Sequence, residues 1–204
     1  MPFYRQHFDY TCGPASLMMA MKHFTDIPLT EALEVEIWRE ANMVEVYGTS
    51  RYGLAYSAVK RGFCAAVTSS TGGVDFVDRI EPPIEGLNVK VLRLHFEERQ
   101  ARCLELGVKD SRRAVTPQNV YEALRLNRIP LIVTNALHCQ EGEDIPHWVT
   151  VTGIDQDYLY FNNPLNAQPQ ESKFELLDFS LVVGYKGDQS MVEVWKPQVA
   201  AVCD

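Results

Sequence analysis

Four residues near the two ends of the chain have the types and spacing for acyl-transfer chemistry: Cys12, Gln6, His147 and Asn163. Cys12 stands in Gln6-His7-Phe8-Asp9-Tyr10-Thr11-Cys12-Gly13-Pro14-Ala15-Ser16-Leu17. Proline suits the first turn of a helix, where its missing N–H costs nothing, so Gly13-Pro14 opens a helix and sets Cys12 at its N-terminus. Unpaired N–H groups and the macrodipole favour an anion there. The attacking form of cysteine is the thiolate, so this placement predicts a thiol pKa lowered from about 8.5. Gly13 is expected to give a substrate backbone room beside the sulfur. Six residues upstream, Gln6 can set its amide N–H beside the Cys12 backbone N–H. Two such donors make an oxyanion hole, and each typically contributes roughly 3–4 kcal/mol to acyl transfer. A Cys-Gly-Pro alone fits a buried, inert cysteine better; the glutamine at this spacing tips the reading toward catalysis.

A nucleophilic cysteine needs a base, and the base needs an orienting group. His7 and His23 lie too near Cys12 in sequence to be a conventional partner, His95 sits in a strand-like run and His138 in a loop. His147 instead heads His147-Trp148-Val149-Thr150-Val151-Thr152-Gly153, followed by a turn at 154–157 and then Tyr158-Leu159-Tyr160-Phe161-Asn162-Asn163-Pro164. The alternation on both sides predicts a hairpin. Pairing Val151 with Leu159 and Val149 with Phe161 buries all four on one face. The next pair outward is His147 with Asn163, with Cβ atoms about 5 Å apart, while Asn162 points away. Pro164 ends the strand. Each residue also has a plainer reading, a strand-edge histidine and an Asn-Pro turn.

These residues need elements to hold them. Helices are expected from the Gly13-Pro14 start to about Phe24, from the Thr30 cap to about Ala41, over Gly53–Arg61 with Gly62 as its stop, and over Pro117–Leu126 after Thr116. Strands are expected at Val89–Leu94, Ile129–Thr134, Trp148–Gly153, Tyr158–Asn162, Leu181–Tyr185 and Met191–Trp195. The charged stretch from Phe96 to Arg113 reads as a helix plus a loop. Helices first and mostly antiparallel strands later imply an α+β protein, a helical lobe against a sheet.

Composition narrows the function classes. With 46% hydrophobic and 23% charged residues, the chain reads as an ordinary globular protein, without repeats or low-complexity tracts. A net charge of −8 disfavours nucleic acid or an anionic membrane, which need concentrated Lys and Arg. No apolar run is long enough to span a bilayer, and none has signal-peptide length near the N-terminus. Five scattered cysteines (Cys12, Cys64, Cys103, Cys139, Cys203) without a Cys-x-x-Cys pair argue against a disulfide framework and for a reducing cytoplasm. His138, Cys139, Asp144 and His147 lack standard ligand spacing, so neither a metal nor a cofactor is expected.

Gln6, Cys12-Gly13-Pro14-Ala15 and His147-Trp148-Val149, with Asn163-Pro164 sixteen residues after the histidine, resemble the bacteriocin-processing leader peptidases. These are papain-like domains, usually fused to transporters, that cleave after a double glycine. Thr49–Gly62 and Thr116–Thr134 resemble the family as well, whereas about 76–113 matches nothing in it and reads as an insertion in a single domain of 1–204. The resemblance implies a papain-like fold, Cys12 as nucleophile, His147 as base, Gln6 as oxyanion donor and Asn163 in the third place, where leader peptidases commonly carry aspartate and papain asparagine. It also implies a peptide or protein substrate in a stand-alone form, a small modified peptide being the alternative to a double-glycine leader. Three functions share these residues: a cysteine peptidase, a transpeptidase or transamidase passing the acyl group to an amine, and a non-catalytic peptide-binding module.

Overall fold

The computed structural model describes residues 1–81, 83–139 and 143–197; Cys203 lies outside them. Its first helix, α1 (Cys12–Phe24), is buried along nearly its whole length. The second, α2 (Glu31–Ala41), starts where Thr30 accepts a hydrogen bond from the Leu33 N–H. A short hairpin, β1 (Asn42–Met43) and β2 (Val46–Thr49), leads to α3 (Arg51–Lys60), capped by Ser50. Gly62 follows with φ at +80°, a conformation that costs glycine little.

The rest builds one seven-stranded sheet. Its strands are β3 (Cys64–Ser69), β4 (Lys109–Arg112), β5 (Ile129–Asn135), β6 (Pro146–Ile154), β7 (Tyr158–Asn162), β8 (Glu171–Glu175) and β9 (Ser190–Trp195), in the spatial order β4-β3-β9-β5-β6-β7-β8. Every neighbouring pair is antiparallel except β3 with β4. Three helices complete the fold: α4 (Val89–Glu105), α5 (Pro117–Arg125) and α6 (Phe179–Val182). α5 begins with a capping box between Thr116 and Asn119, which satisfies two orphan donors reciprocally.

Two apolar clusters share the sheet, one on each face. Leu131, Val133, Trp148, Val192 and Val194 pack with α1 to α4. Ile132, Val149, Val151, Phe161 and Met191 pack with Val120 of α5 and Phe179 of α6. The fold is α+β, with a helical layer against a largely antiparallel sheet.

One expected strand is a helix, and another begins as one. Val89–Leu94 is the first part of α4, where Asn88 accepts from the Val91 N–H as a cap and Leu92, Phe96 and Cys103 turn one face inward. His95 therefore lies on a helix. Leu181 and Val182 end α6, leaving an isolated bridge between Val183 and Thr134. The Phe96–Arg113 stretch is the remainder of α4 followed by β4, a strand where a loop was expected.

The β6–β7 register also differs. Val151 faces Phe161, not Leu159, and a bulge between Val151 and Gly153 lets Gly153 face Tyr160 and Ile154 face Leu159. An extra residue in one strand shifts pairing by one and can restore face parity downstream. His147, Val149 and Val151 still share a face with Phe161 and Asn163, so the slip leaves the expected side chains together.

Candidate active site

Helix α1 is laced to β6. Thr150 Oγ1 donates to Ser16 O at 3.0 Å, and Ser16 Oγ donates to Trp148 O at 3.1 Å. At the end of this ladder the Trp148 backbone N–H donates to Cys12 Sγ at 3.5 Å. The sulfur thus rests against the peptide that joins His147 to Trp148. Trp148 is pinned on its other side by Nε1 donating to Thr49 O at 3.2 Å.

His147, 2% exposed, lies against Asn163, 1% exposed, with Nε2 and Oδ1 2.8 Å apart. The same Oδ1 accepts from the Leu165 N–H at 3.0 Å. That second donor identifies the atom as the acceptor, so His147 carries its proton on Nε2 and keeps a lone pair on Nδ1. Imidazole in this tautomer is a base with a defined direction. Asn162 is directed elsewhere, donating from Nδ2 to Pro2 O at 2.9 Å. Among the described residues no hydrogen bond runs directly from Cys12 Sγ to the imidazole; the two are joined through the Trp148 N–H.

Gln6, also buried, is fixed at both ends. Its backbone N–H donates to Pro164 O at 2.9 Å, beside Asn163, and its Nε2 donates to Phe8 O at 2.7 Å. One Nε2 hydrogen remains, and Oε1 has no partner among the described residues. Phe8 O also receives the Thr11 N–H at 3.2 Å and Thr11 Oγ1 at 2.8 Å.

Thr11 occupies the N-cap position of α1 but makes no side-chain cap. Its hydroxyl is drawn instead to Phe8 O and Glu34 Oε1, and Pro14, third in the helix, has no N–H. The N–H groups of Cys12 and Gly13 are therefore left for the sulfur.

Electrostatics correct the expected low thiol pKa. Burial pushes Cys12 up to about 11, although hydrogen bonds from the backbone of Trp148, Gly13 and Cys12 pull the other way. Burial likewise pulls His147 down to about 4, partly offset by Asn163. Removal from water penalises each charged form, so burial favours a neutral thiol and a neutral imidazole in the resting site. The role expected of Gly13 also changes. A Cβ there would lie 2.1 Å from Thr49 Oγ1, so glycine admits Thr49.

Asp144 accepts hydrogen bonds from Asn135 Nδ2 at 2.7 Å and Lys186 Nζ at 2.6 Å. Sequence reasoning missed Trp148 as a sulfur contact, and it missed Glu34. Glu34 is wholly buried on α2, three positions before buried Ile37; a carboxylate on an apolar helix face was the available signal.

The arrangement sets a thiol and an oriented imidazole against the same peptide, with backbone N–H groups directed at the sulfur. A family model described as Peptidase_C39 like family matches residues 1–194. Among solved structures, a candidate C39-like peptidase from Bacillus anthracis aligns over 97% of this chain and 96% of its own, with a TM-score of 0.56 and 15% identity. At that identity the likeness is one of fold. No curated protein matches the chain significantly.

Proposed function

The chain belongs to the C39-like peptidase family, and from that premise we propose that it is a cysteine peptidase working through a Cys12 acyl enzyme. The observation that carries the reading is the His147 Nε2–Asn163 Oδ1 contact at 2.8 Å, one peptide away from the sulfur of Cys12. With Nε2–H committed to Asn163, Nδ1 takes the thiol proton as sulfur attacks a substrate carbonyl. The Cys12 backbone N–H and the remaining Gln6 Nε2–H hold the oxyanion. The His147 imidazolium then protonates the leaving amine, and water, activated by the same imidazole, hydrolyses the thioester.

The neutral resting pair suits this sequence of events, because charge appears only when a carbonyl arrives to share it. Resemblance to the bacteriocin-processing peptidases supports a peptide substrate, a double-glycine site being the specific expectation. A reducing cytoplasm fits a catalytic thiol, which oxidation would disable. Among the described residues no helix is long and apolar enough to cross a membrane.

The test is hydrolysis of fluorogenic peptides with and without Gly-Gly before the scissile bond. Wild type is expected to turn over at least one of them, and Cys12→Ala and His147→Ala none. Turnover that survives in Cys12→Ala would overturn the reading.

A further inference from the structure

Glu34 is a fully buried carboxylate that, among the described residues, forms no ion pair with a lysine or arginine, a placement that ordinarily costs several kcal/mol. Among the described residues, all of its side-chain hydrogen bonds run to one segment, residues 4–11. Tyr4 Oη donates to Oε2 at 2.8 Å, and the His7 backbone N–H to Oε1 at 2.9 Å. His7 Nδ1 lies 3.1 Å from Oε2, and Thr11 Oγ1 is bonded to Oε1. That segment carries Gln6 and runs directly into Cys12. Within it, Phe8 O is the acceptor for the Gln6 carboxamide, and Phe8 is the neighbour of His7, whose N–H Glu34 holds. A leucine would bury better at this position of α2, so the carboxylate acts on the loop.

We propose that Glu34 is a positioning residue, which holds the 4–11 loop so that the Gln6 carboxamide stays fixed as an oxyanion donor. The inference rests on the peptidase reading. It makes a distinction that a general loss of folding does not make. Acylation by an ester develops an oxyanion, whereas alkylation by iodoacetamide displaces iodide at a saturated carbon and develops none.

The experiment compares two reactions of Cys12: the p-nitrophenolate burst from p-nitrophenyl acetate, and site-resolved alkylation by iodoacetamide. Glu34→Gln is expected to slow the burst about 10- to 100-fold, less than the roughly 10²–10³-fold expected of losing the donor outright in Gln6→Ala. Alkylation is expected to change by less than about threefold, since no oxyanion donor is used. Because Glu34 acts through Gln6, adding Glu34→Gln to Gln6→Ala should slow the burst by no more than about threefold further, as expected of groups working as one unit. Tyr4→Phe, which removes a single donor to Glu34, is the milder variant should Glu34→Gln fail to fold; it too should slow acylation while sparing alkylation. Parallel loss of both reactions, or additive losses in the double variant, would overturn the proposal. A Cys12-dependent burst that Glu34→Gln leaves intact refutes the role of Glu34 alone, whereas a burst that persists in Cys12→Ala refutes the peptidase reading itself.

Discussion

Acid should destabilise this fold through His147 in a way that can be isolated. The imidazole titrates near 6.5 when exposed and is held down to about 4 here, chiefly by burial. Between those values the unfolded chain binds a proton that the folded site refuses. The stabilisation is therefore complete above 6.5 and is lost as pH falls toward 4. At roughly 1.36 kcal/mol per tenfold change in proton affinity, the full loss is about 3 kcal/mol. The perturbation is His147→Gln, which removes the titrating group; its loss of packing and of the Asn163 contact adds an offset that does not depend on pH. Urea unfolding of both proteins near pH 7.5 and near pH 4.5 gives the comparison, and the stability advantage of the wild type should shrink by about 2.5 kcal/mol on acidification. An imidazolium already paired with a thiolate would have a raised pKa and the opposite sign, its advantage being present in acid and lost as pH rises. An advantage that stays constant or grows toward pH 4.5 refutes the neutral-pair description.

Three further outcomes are expected. Iodoacetamide alkylation of Cys12 should keep accelerating from pH 8 toward about 11, because burial holds the thiol up to that value; a plateau near pH 7 contradicts it. Asn163→Ala should slow peptide turnover on the order of 10- to 100-fold, whereas Asn162→Ala, which loses only its contacts to Pro2 and Met19, should cost less than about threefold; the reverse ranking in steady-state kinetics would remove Asn163 from the site. Gly13→Ala should destabilise the protein by about 1–3 kcal/mol through the clash with Thr49, and Thr49→Ala in the same chain should recover part of that loss in thermal unfolding.

The proximity of His147 and Asn163 was legible because face parity in a hairpin is a robust property. The expected register was wrong, yet the bulge at Val151–Gly153 shifted partners without turning either side chain to the other face. Gly153 inside a strand pattern was the sign of that bulge. Val89 and Val91 alternate over too short a window to outweigh the longer spacing of Leu92, Phe96 and Cys103, which the packing against α3 rewards. Strands β3, β4 and β8 went unread. β3 is a small, buried run without clear alternation, and β4 and β8 are polar strands at the two edges, where partners rather than propensity decide the conformation. The thiol pKa failed for another reason. Proximity to a helix N-terminus can be inferred from Gly13-Pro14, but the burial that opposes it depends on β6, more than a hundred residues away.

The bond from the Gln6 N–H to Pro164 O joins the leading strap of the chain to the turn that holds Asn163. Together with the Trp148 N–H on Cys12, it means that every pair of proposed working groups, apart from Gln6 with Cys12, is formed across well over a hundred residues or across the β6–β7 hairpin. During synthesis the thiol and its helix leave the ribosome long before the strand that supplies their base, and long-range pairings of this kind form late. On the proposed reading, the nascent chain therefore carries a cysteine without its base, and the two meet only when the sheet closes, after the molecule has stopped exposing extended backbone of its own.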